Sequence, residues 1–355
     1  MKIALVIADL GVGGSERVLS ILANDWIKKG HSVNVILLVK GPSFFELDPR
    51  IQVTELGFKT HLGLFSRLVS ILKISLIFRK YIKRTKPDFI LSFMNKYNIF
   101  VLLSLFKTKN KIYVSERDSP TEKLPKVTVF LRDSLYKFAE GVICQTKMSK
   151  DFIISHTKNK NVIAIPNPVS DFILDESIER ENIILNVGRL VEKKGQKYLI
   201  EAFSKIENKE WKLYIGGDGH LKEKLINYVN QLGLRERIVF LGHQKDITYW
   251  YQKAKIFAFP SILEGFPNAL AEAMTYGMAC VSFDCFTGPS DIIEDGVNGY
   301  LVEERNVNEL ADRLNYLIKN QNKQLEFSKN ATKLRNVLNK EKISDKYFNF
   351  CNSHL

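Results

Sequence analysis

Residues 2–39 read KIALVIADLGVGGSERVLSILANDWIKKGHSVNVILLV, and their order decides the fold. The apolar run Ile3–Ala8 leads into Gly11-Val12-Gly13-Gly14. Ser15 is the expected N-cap of a helix to about Lys29, where Gly30 stops it. A second apolar run, Ser32–Val39, follows. Strand, glycine turn, helix and strand form one repeat of a parallel α/β sheet. The opening run is short, and Asp9 precedes a glycine turn rather than a small-residue cleavage site, so it reads as a buried first strand and not as a signal peptide.

The same alternation continues outward. Phe89–Phe93, Ile112–Ser115 and Gly141–Gln145 are short apolar runs with helical stretches between them. Residues Asn167–Glu181, flanked by Pro166 and containing Pro168, break the rhythm and read as a linker. Ile183–Val187, Lys212–Ile215, Ile238–Leu241, Ile256–Phe259 and Ala279–Phe283 then read as strands, with a helix over Tyr198–Ile206. The expectation is two Rossmann-like, doubly wound parallel-sheet domains facing across a cleft, at 1–170 and 171–340. Residues 341–355 would form a C-terminal helix, with the N-terminal domain as the candidate surface for it to pack back on. A length of 355 residues suits two cores better than one. Ligands of open α/β sheets bind at the carboxyl ends of strands, so a cleft between such domains is the default site.

Composition narrows the classes. An apolar fraction of 45% and a charged fraction of 26% fit a soluble globular chain. Four cysteines without CxxC spacing read as reduced thiols in a cytoplasmic protein. No apolar run is long enough for a spanning helix. The net charge of +13 is lopsided. Residues 1–175 hold 27 Lys+Arg against 15 Asp+Glu, whereas 176–355 hold 25 against 24. A one-sided basic surface suits an anionic partner.

Three loops carry candidate chemistry. Gly11–Gly14 follows a strand and opens a helix, so its N–H groups and the helix dipole make it an anion site or simply a tight turn. Its G-x-G-G spacing is not the dinucleotide fingerprint. Arg189 and Lys194, in the loop after Ile183–Val187, place two cations at a strand's carboxyl end, as a diphosphate site or a solvated basic loop. Ser261–Glu272 places Glu264 in a loop, Pro267 in the first turn of a helix through Ala269–Tyr276, and Glu272 one turn on, about 8 Å along the axis. Two carboxylates so placed accept hydrogen bonds from sugar or ribose hydroxyls, or else serve a capped amphipathic helix. The loop around Thr287, Gly288 and Pro289 repeats the strand–loop–helix pattern and suits a phosphate or sugar.

GGSERV at 13–18, NVGRL…KKG at 186–195, GGDG at 216–219, EGFPNALAE at 264–272 and TGPSDII…GVNGYLV at 287–302 resemble the family 4 glycosyltransferases. The resemblance implies a retaining enzyme of the two-Rossmann, B-type fold. It is similar in its TGP loop to bacterial enzymes that build capsular, O-antigen or N-glycan precursor saccharides. It implies that Gly13 and Gly14 lie beside the donor diphosphate, that Arg189 and Lys194 bind it, that Glu272 holds the ribose, and that Glu264 contacts the donor sugar. Gly188, Asn268, Thr287 and Gly288 are the further donor-binding candidates. No cofactor is expected beyond a UDP-sugar substrate, with UDP-GalNAc, UDP-Gal or UDP-GlcNAc favoured, and no metal, since the histidines are scattered and no D-x-D occurs. Many relatives carry Ser-Glu-His where this chain has Ser115-Glu116-Arg117. Arg117 can donate to sugar or phosphate but cannot act as a base, and Glu116 stands beside it as a candidate.

Between Glu55 and Asp88 there is no acid but eight Lys/Arg: Lys59, Arg67, Lys73, Arg79, Lys80, Lys83, Arg84 and Lys86. They interleave with apolar residues including Leu62, Leu64, Phe65, Leu68, Leu72 and Leu76. This is either a basic amphipathic helix for an anionic leaflet or an ordinary sheet-packing helix. The first reading gives a protein peripheral on the cytoplasmic face of the inner membrane, with a polyprenyl-diphosphate-linked saccharide as acceptor. Nucleic acid is not expected, because no stacking platform accompanies the charge. The alternatives are a two-Rossmann sugar-nucleotide epimerase and a non-catalytic sugar-binding protein.

Overall fold

The computed structural model describes residues 1–41, 43–57, 64–169, 174–244 and 246–353, without the side chains of 64, 65, 67 and 68. Lys59, His61, Leu62 and His354, the side chains of Leu64, Phe65, Arg67 and Leu68, and linker residues 170–173 therefore lie outside the described residues. The chain divides into two units, Met1–Pro168 with Lys340–Leu355, and Val169–Asn339.

The first unit holds β1 (Lys2–Ile7), β2 (Ser32–Leu37), β3 (Gln52–Glu55), β4 (Phe89–Phe93), β5 (Ile112–Ser115), β6 (Gly141–Cys144) and β7 (Val162–Ala164). Their order in the sheet is β3-β2-β1-β4-β5-β6-β7, with parallel pairing throughout. Helices cover both faces, which is why the strands read as unbroken apolar runs. Ile3, Leu5 and Ile7 pack with Leu19 and Trp26 of the helix Gly14–Lys28. Ala4 and Val6 face the other way, toward Phe78, Val101 and Tyr136. The C-terminal helix Lys340–Asn352 contributes Ile343, Tyr347 and Cys351 to the core that holds Trp26. Their spacing of four residues forms one stripe, so the chain's end closes the unit that its start began.

The second unit holds β8 (Glu181–Val187), β9 (Lys212–Gly216), β10 (Ile238–Gly242), β11 (Ala254–Phe259), β12 (Ala279–Phe283) and β13 (Tyr300–Val302). Their order is β10-β9-β8-β11-β12-β13, again parallel. In each sheet the winding reverses once, between β1 and β4 and between β8 and β11. Such switch points open a crevice at the strands' carboxyl ends.

Two capping expectations are corrected. The helix Gly14–Lys28 starts one residue before Ser15, and its N-cap is Gly13 in an extended conformation with no side-chain cap. The carboxylate of Glu16 folds back over Gly13 instead, into space a Cβ would occupy. Pro267 is the N-cap of the helix Asn268–Thr275 rather than a first-turn residue. It is Pro289 that opens a helix from inside, at Pro289–Ile292. All four cysteines are buried free thiols. Among the described residues no helix is long and apolar enough to cross a membrane.

Candidate active site

In the second unit, the loops after β8, β9, β11 and β12 meet at the switch point. The loops after β8 and β9 are joined by Gly188 N–H to the Gly216 carbonyl and Leu190 N–H to the Asp218 carbonyl, both 2.9 Å. The loops after β8 and β11 are joined just as tightly. Ile262 N–H donates to the Lys193 carbonyl at 2.9 Å, and a Cβ on Gly195 would stand 1.9 Å from the Pro260 carbonyl oxygen. Gly195 also has φ +66°, a left-handed conformation that disfavours side chains. Glycine is thus required twice over at the residue after Lys194.

That closeness brings Lys194 and Glu264 together. Lys194 Nζ lies 2.5 Å from Glu264 Oε1, with side-chain exposures of 19% and 8%. The ammonium also sits 5.8 Å above the Phe259 ring. The Thr287 hydroxyl donates to the Glu264 backbone carbonyl, tying the loop after β12 to the loop after β11. Gly288, at φ +105°, leaves room for Pro267, whose Cδ lies 2.5 Å from where a Cβ would be. One buried carboxylate is therefore fixed through its backbone by Thr287 and paired through its side chain with a lysine. Arg189 stays exposed in the same loop as Lys194, and Gln196 Nε2 holds the Arg189 carbonyl at 3.1 Å. Glu272 accepts from the Tyr251 hydroxyl at 3.2 Å, and Tyr251 stacks on Tyr276. Sequence reasoning missed Tyr251 and Gln196. Gln196 is buried beside the KKG motif, and that adjacency was the one available signal.

The corresponding end of the first unit is arranged differently. Gly11 N–H donates to Asp9 Oδ1 at 2.8 Å, and Glu16 Oε2 lies 2.1 Å from the Cβ position of Gly13. Burial raises the Glu16 carboxyl above its ordinary range against the pull of a hydrogen bond from its own backbone N–H; the charge of Asp9 adds to the rise and that of Arg117 opposes it. Beside Gly13 and Gly14, then, a carboxylate stands where an incoming anion would have to displace it.

After β5, Glu116 is buried and accepts from the Tyr136 hydroxyl at 2.8 Å and from Asn95 Nδ2 at 3.2 Å. Burial, reinforced by Asp118, pushes its carboxyl up to about 7. Arg117 departs from the expectation of a group presented to sugar or phosphate. It is only 7% exposed, donating from Nη1 to the Tyr347 hydroxyl at 3.0 Å and from Nη2 to Asn167 Oδ1 at 2.8 Å, over the Phe93 ring. Its guanidinium fastens the C-terminal helix to the loop after β5. The residues that claim it are 50 and 230 positions away, beyond the reach of local pattern.

Comparison with known proteins bears on both units. Residues 12–171 match the family model described as Glycosyltransferase Family 4, and residues 173–334 match the model Glycosyl transferases group 1. An alpha-1,4-N-acetyl-D-galactosaminyltransferase of Campylobacter jejuni, named for a GalNAc-GalNAc-diNAcBac-PP-undecaprenol substrate, is 30% identical over 93% of this chain and 92% of its own length. The amylovoran biosynthesis glycosyltransferase AmsD of Erwinia amylovora is 28% identical over 90% of each chain. Among solved structures, HepE of Anabaena in complex with UDP and glucose superposes with a TM-score of 0.85 at 21% identity, over 99% of this chain and 100% of that one. The apo lipopolysaccharide outer core galactosyltransferase WaaB gives 0.81 at 22% identity, over the full length of both. The named relatives are transferases, so neither the epimerase nor the binding-protein alternative is favoured.

Proposed function

We propose, for a chain that belongs to the family 4, group 1 glycosyltransferases, that it moves a hexose or N-acetylhexosamine from a UDP-sugar to a lipid-linked oligosaccharide with retention of configuration. The observation that carries this reading is the Lys194–Glu264 pair at the switch point of the second sheet. Before donor binds, the two charges neutralise one another. A donor diphosphate competes for Lys194, with the exposed Arg189 as the second cation, and frees the Glu264 carboxylate for a hydroxyl of the donor sugar. Glu272 takes the ribose diol, and the loop Thr287-Gly288 closes around the sugar. Fixed cations stabilise the departing diphosphate, which is the work a metal does elsewhere. The C1–phosphate bond breaks as the acceptor oxygen bonds to C1 on the same face, and the acceptor's proton passes to the departing phosphate oxygen. No protein nucleophile is needed.

The names of the relatives support a lipid-linked acceptor and favour UDP-GalNAc or UDP-Gal, with UDP-GlcNAc as a further candidate. For such an acceptor we place the protein on the cytoplasmic face of the inner membrane. The helix Leu64–Thr85 supports this: Val69, Leu72 and Leu76 are 51%, 66% and 69% exposed, and basic residues lie along it. Its Phe78 and Ile82 join the core cluster of the sheet, and Ile74 is buried as well, so one helix serves both purposes.

Screening UDP-sugars for hydrolysis and for transfer to a polyprenyl-diphosphate saccharide tests the activity. Glu264→Gln is expected to abolish transfer while the fold persists, and EDTA is expected to leave the rate unchanged. Full transfer by Glu264→Gln overturns the site. Vesicle flotation tests the membrane reading, which fails if binding is absent or survives neutralisation of Arg79, Lys80, Lys83 and Arg84.

A further inference from the structure

The first unit has a second concavity, at the opposite end of its sheet from the Gly11–Gly14 loop. A recess of about 450 Å³ lies among the end of the helix Leu64–Thr85, the turn at Lys86-Pro87 and the segment 105–110. Pro87 comes two residues before β4 and Asn110 two residues before β5. The recess thus sits at the strands' amino ends. The five residues of β4, at about 3.3 Å each, separate it from the carboxyl-end loops by roughly 16 Å.

Four cations line it: Arg79, Lys83, Lys86 and Lys109. Among the described residues no carboxylate lines it. Among the described residues none of the four enters an ion pair. The nearest acid in sequence, Asp88, directs its carboxylate to the backbone N–H of Lys2 at 2.7 Å. The negative end of the helix dipole accounts for Lys83 and Arg84 in the last turn. It does not account for Lys86 beyond the helix or for Lys109 on a separate segment. Lys86 and Lys107, in the two turns beside the recess, adopt left-handed conformations at φ 48° and 60°. Residues with side chains adopt these only at a free-energy cost, and glycine would adopt them freely. On the opposite wall, Asn110 Nδ2 donates to Thr108 Oγ1 at 2.9 Å, and the Thr108 hydroxyl donates to the Leu105 carbonyl at 2.6 Å, so that wall is internally braced. Like charges converging on one concavity repel unless an anion joins them.

We propose that this recess is a binding site for a phosphate ester, distinct from the donor site of the second unit. The guanidinium fork of Arg79 and the three ammonium groups suit phosphate oxygens. The volume exceeds that of a bare phosphate and admits the esterified alcohol as well. The ester is either the headgroup of an anionic lipid or a soluble phosphorylated polyol. The recess recognises the same group in both.

The test compares two double variants with equal loss of charge at the strands' amino ends: Lys86→Gln/Lys109→Gln in the recess, and Lys137→Gln/Lys160→Gln outside it and off the helix Leu64–Thr85. Each is titrated at low ionic strength with sn-glycerol 3-phosphate by calorimetry. Each is also sedimented with vesicles of phosphatidylcholine with or without phosphatidylglycerol. Thermal unfolding and UDP affinity are expected to match the parent in both, which separates this site from the transferase reading. Saturable binding in at least one arm is expected, weakened at least tenfold by the recess pair and less than twofold by the outer pair. Binding in the calorimetric arm identifies a soluble ester, and binding only to anionic vesicles identifies a headgroup. Absence of binding in both arms, or a loss by the outer pair equal to that of the recess pair, overturns the proposal.

Discussion

Gly195→Ala probes how closely the two strand-end loops of the second unit are joined. The new Cβ would stand 1.9 Å from the Pro260 carbonyl oxygen, whereas real contacts do not fall below 3.0 Å. One loop must therefore move by about 1.1 Å, with Lys194 as the adjacent residue. The left-handed φ of +66° adds a cost of about 1–2 kcal/mol, and the forced displacement adds about 1–3 kcal/mol. Gly233 supplies the control. Its φ is +67°, but nothing lies within 4 Å of its Cβ position, so Gly233→Ala carries the conformational cost alone. Urea unfolding should therefore place Gly195→Ala about 1–3 kcal/mol below Gly233→Ala. Displacing Lys194 by about 1 Å should also lower turnover with a UDP-sugar by roughly 100-fold, while Gly233→Ala keeps parental turnover. Equal stability of the two variants, with turnover intact in Gly195→Ala, would refute the reasoning.

Other consequences can be checked separately. Arg189→Ala and Lys194→Ala should each weaken UDP binding by about 1.5–3 kcal/mol in calorimetry, and undiminished affinity in the double variant would remove the diphosphate assignment. Glu116 gives a pH signature. Its folded carboxyl titrates at about 7 against an ordinary value of 4.5, so folding takes up a proton between those values. Its contribution to stability is complete below pH 4.5 and declines by about 1.4 kcal/mol per pH unit until pH 7. Unfolding measured from pH 5 to 8 should show this decline in the parent relative to Glu116→Gln, and a flat or rising difference would contradict it. Tyr347→Phe removes the acceptor of Arg117 Nη1 and should cost about 1–3 kcal/mol of stability without altering UDP affinity. A fall in UDP affinity would assign Arg117 more than a fastening role.

The sequence by itself determined the two-domain parallel architecture and the strand ends that carry the candidate chemistry. Strands buried on both faces appear as apolar runs, and the turns from strand to helix carry glycine, so Ile3–Ala8 with Gly11–Gly14 and Ile183–Val187 with Gly188 are legible without coordinates. Three strands escaped: β3, β7 and β13. They are short, and β3 exposes most of its residues, so hydrophobicity hardly marks it. Tertiary structure alone decided which polar groups meet. Lys194 and Glu264 are 70 residues apart and become neighbours because Gly195 lets the loop after β8 press against Pro260. Arg117 reads as a ligand-facing cation in the sequence, yet Asn167 and Tyr347 claim its guanidinium once the C-terminal helix docks. The carboxylate of Glu16, in the first turn of the first helix, likewise feels the charge of Arg117, which only the fold brings near it. The physical reason is common to all three. Burial pattern is periodic and local, so one stretch of chain encodes it, whereas a charge takes its partner from whatever the fold brings within about 3 Å.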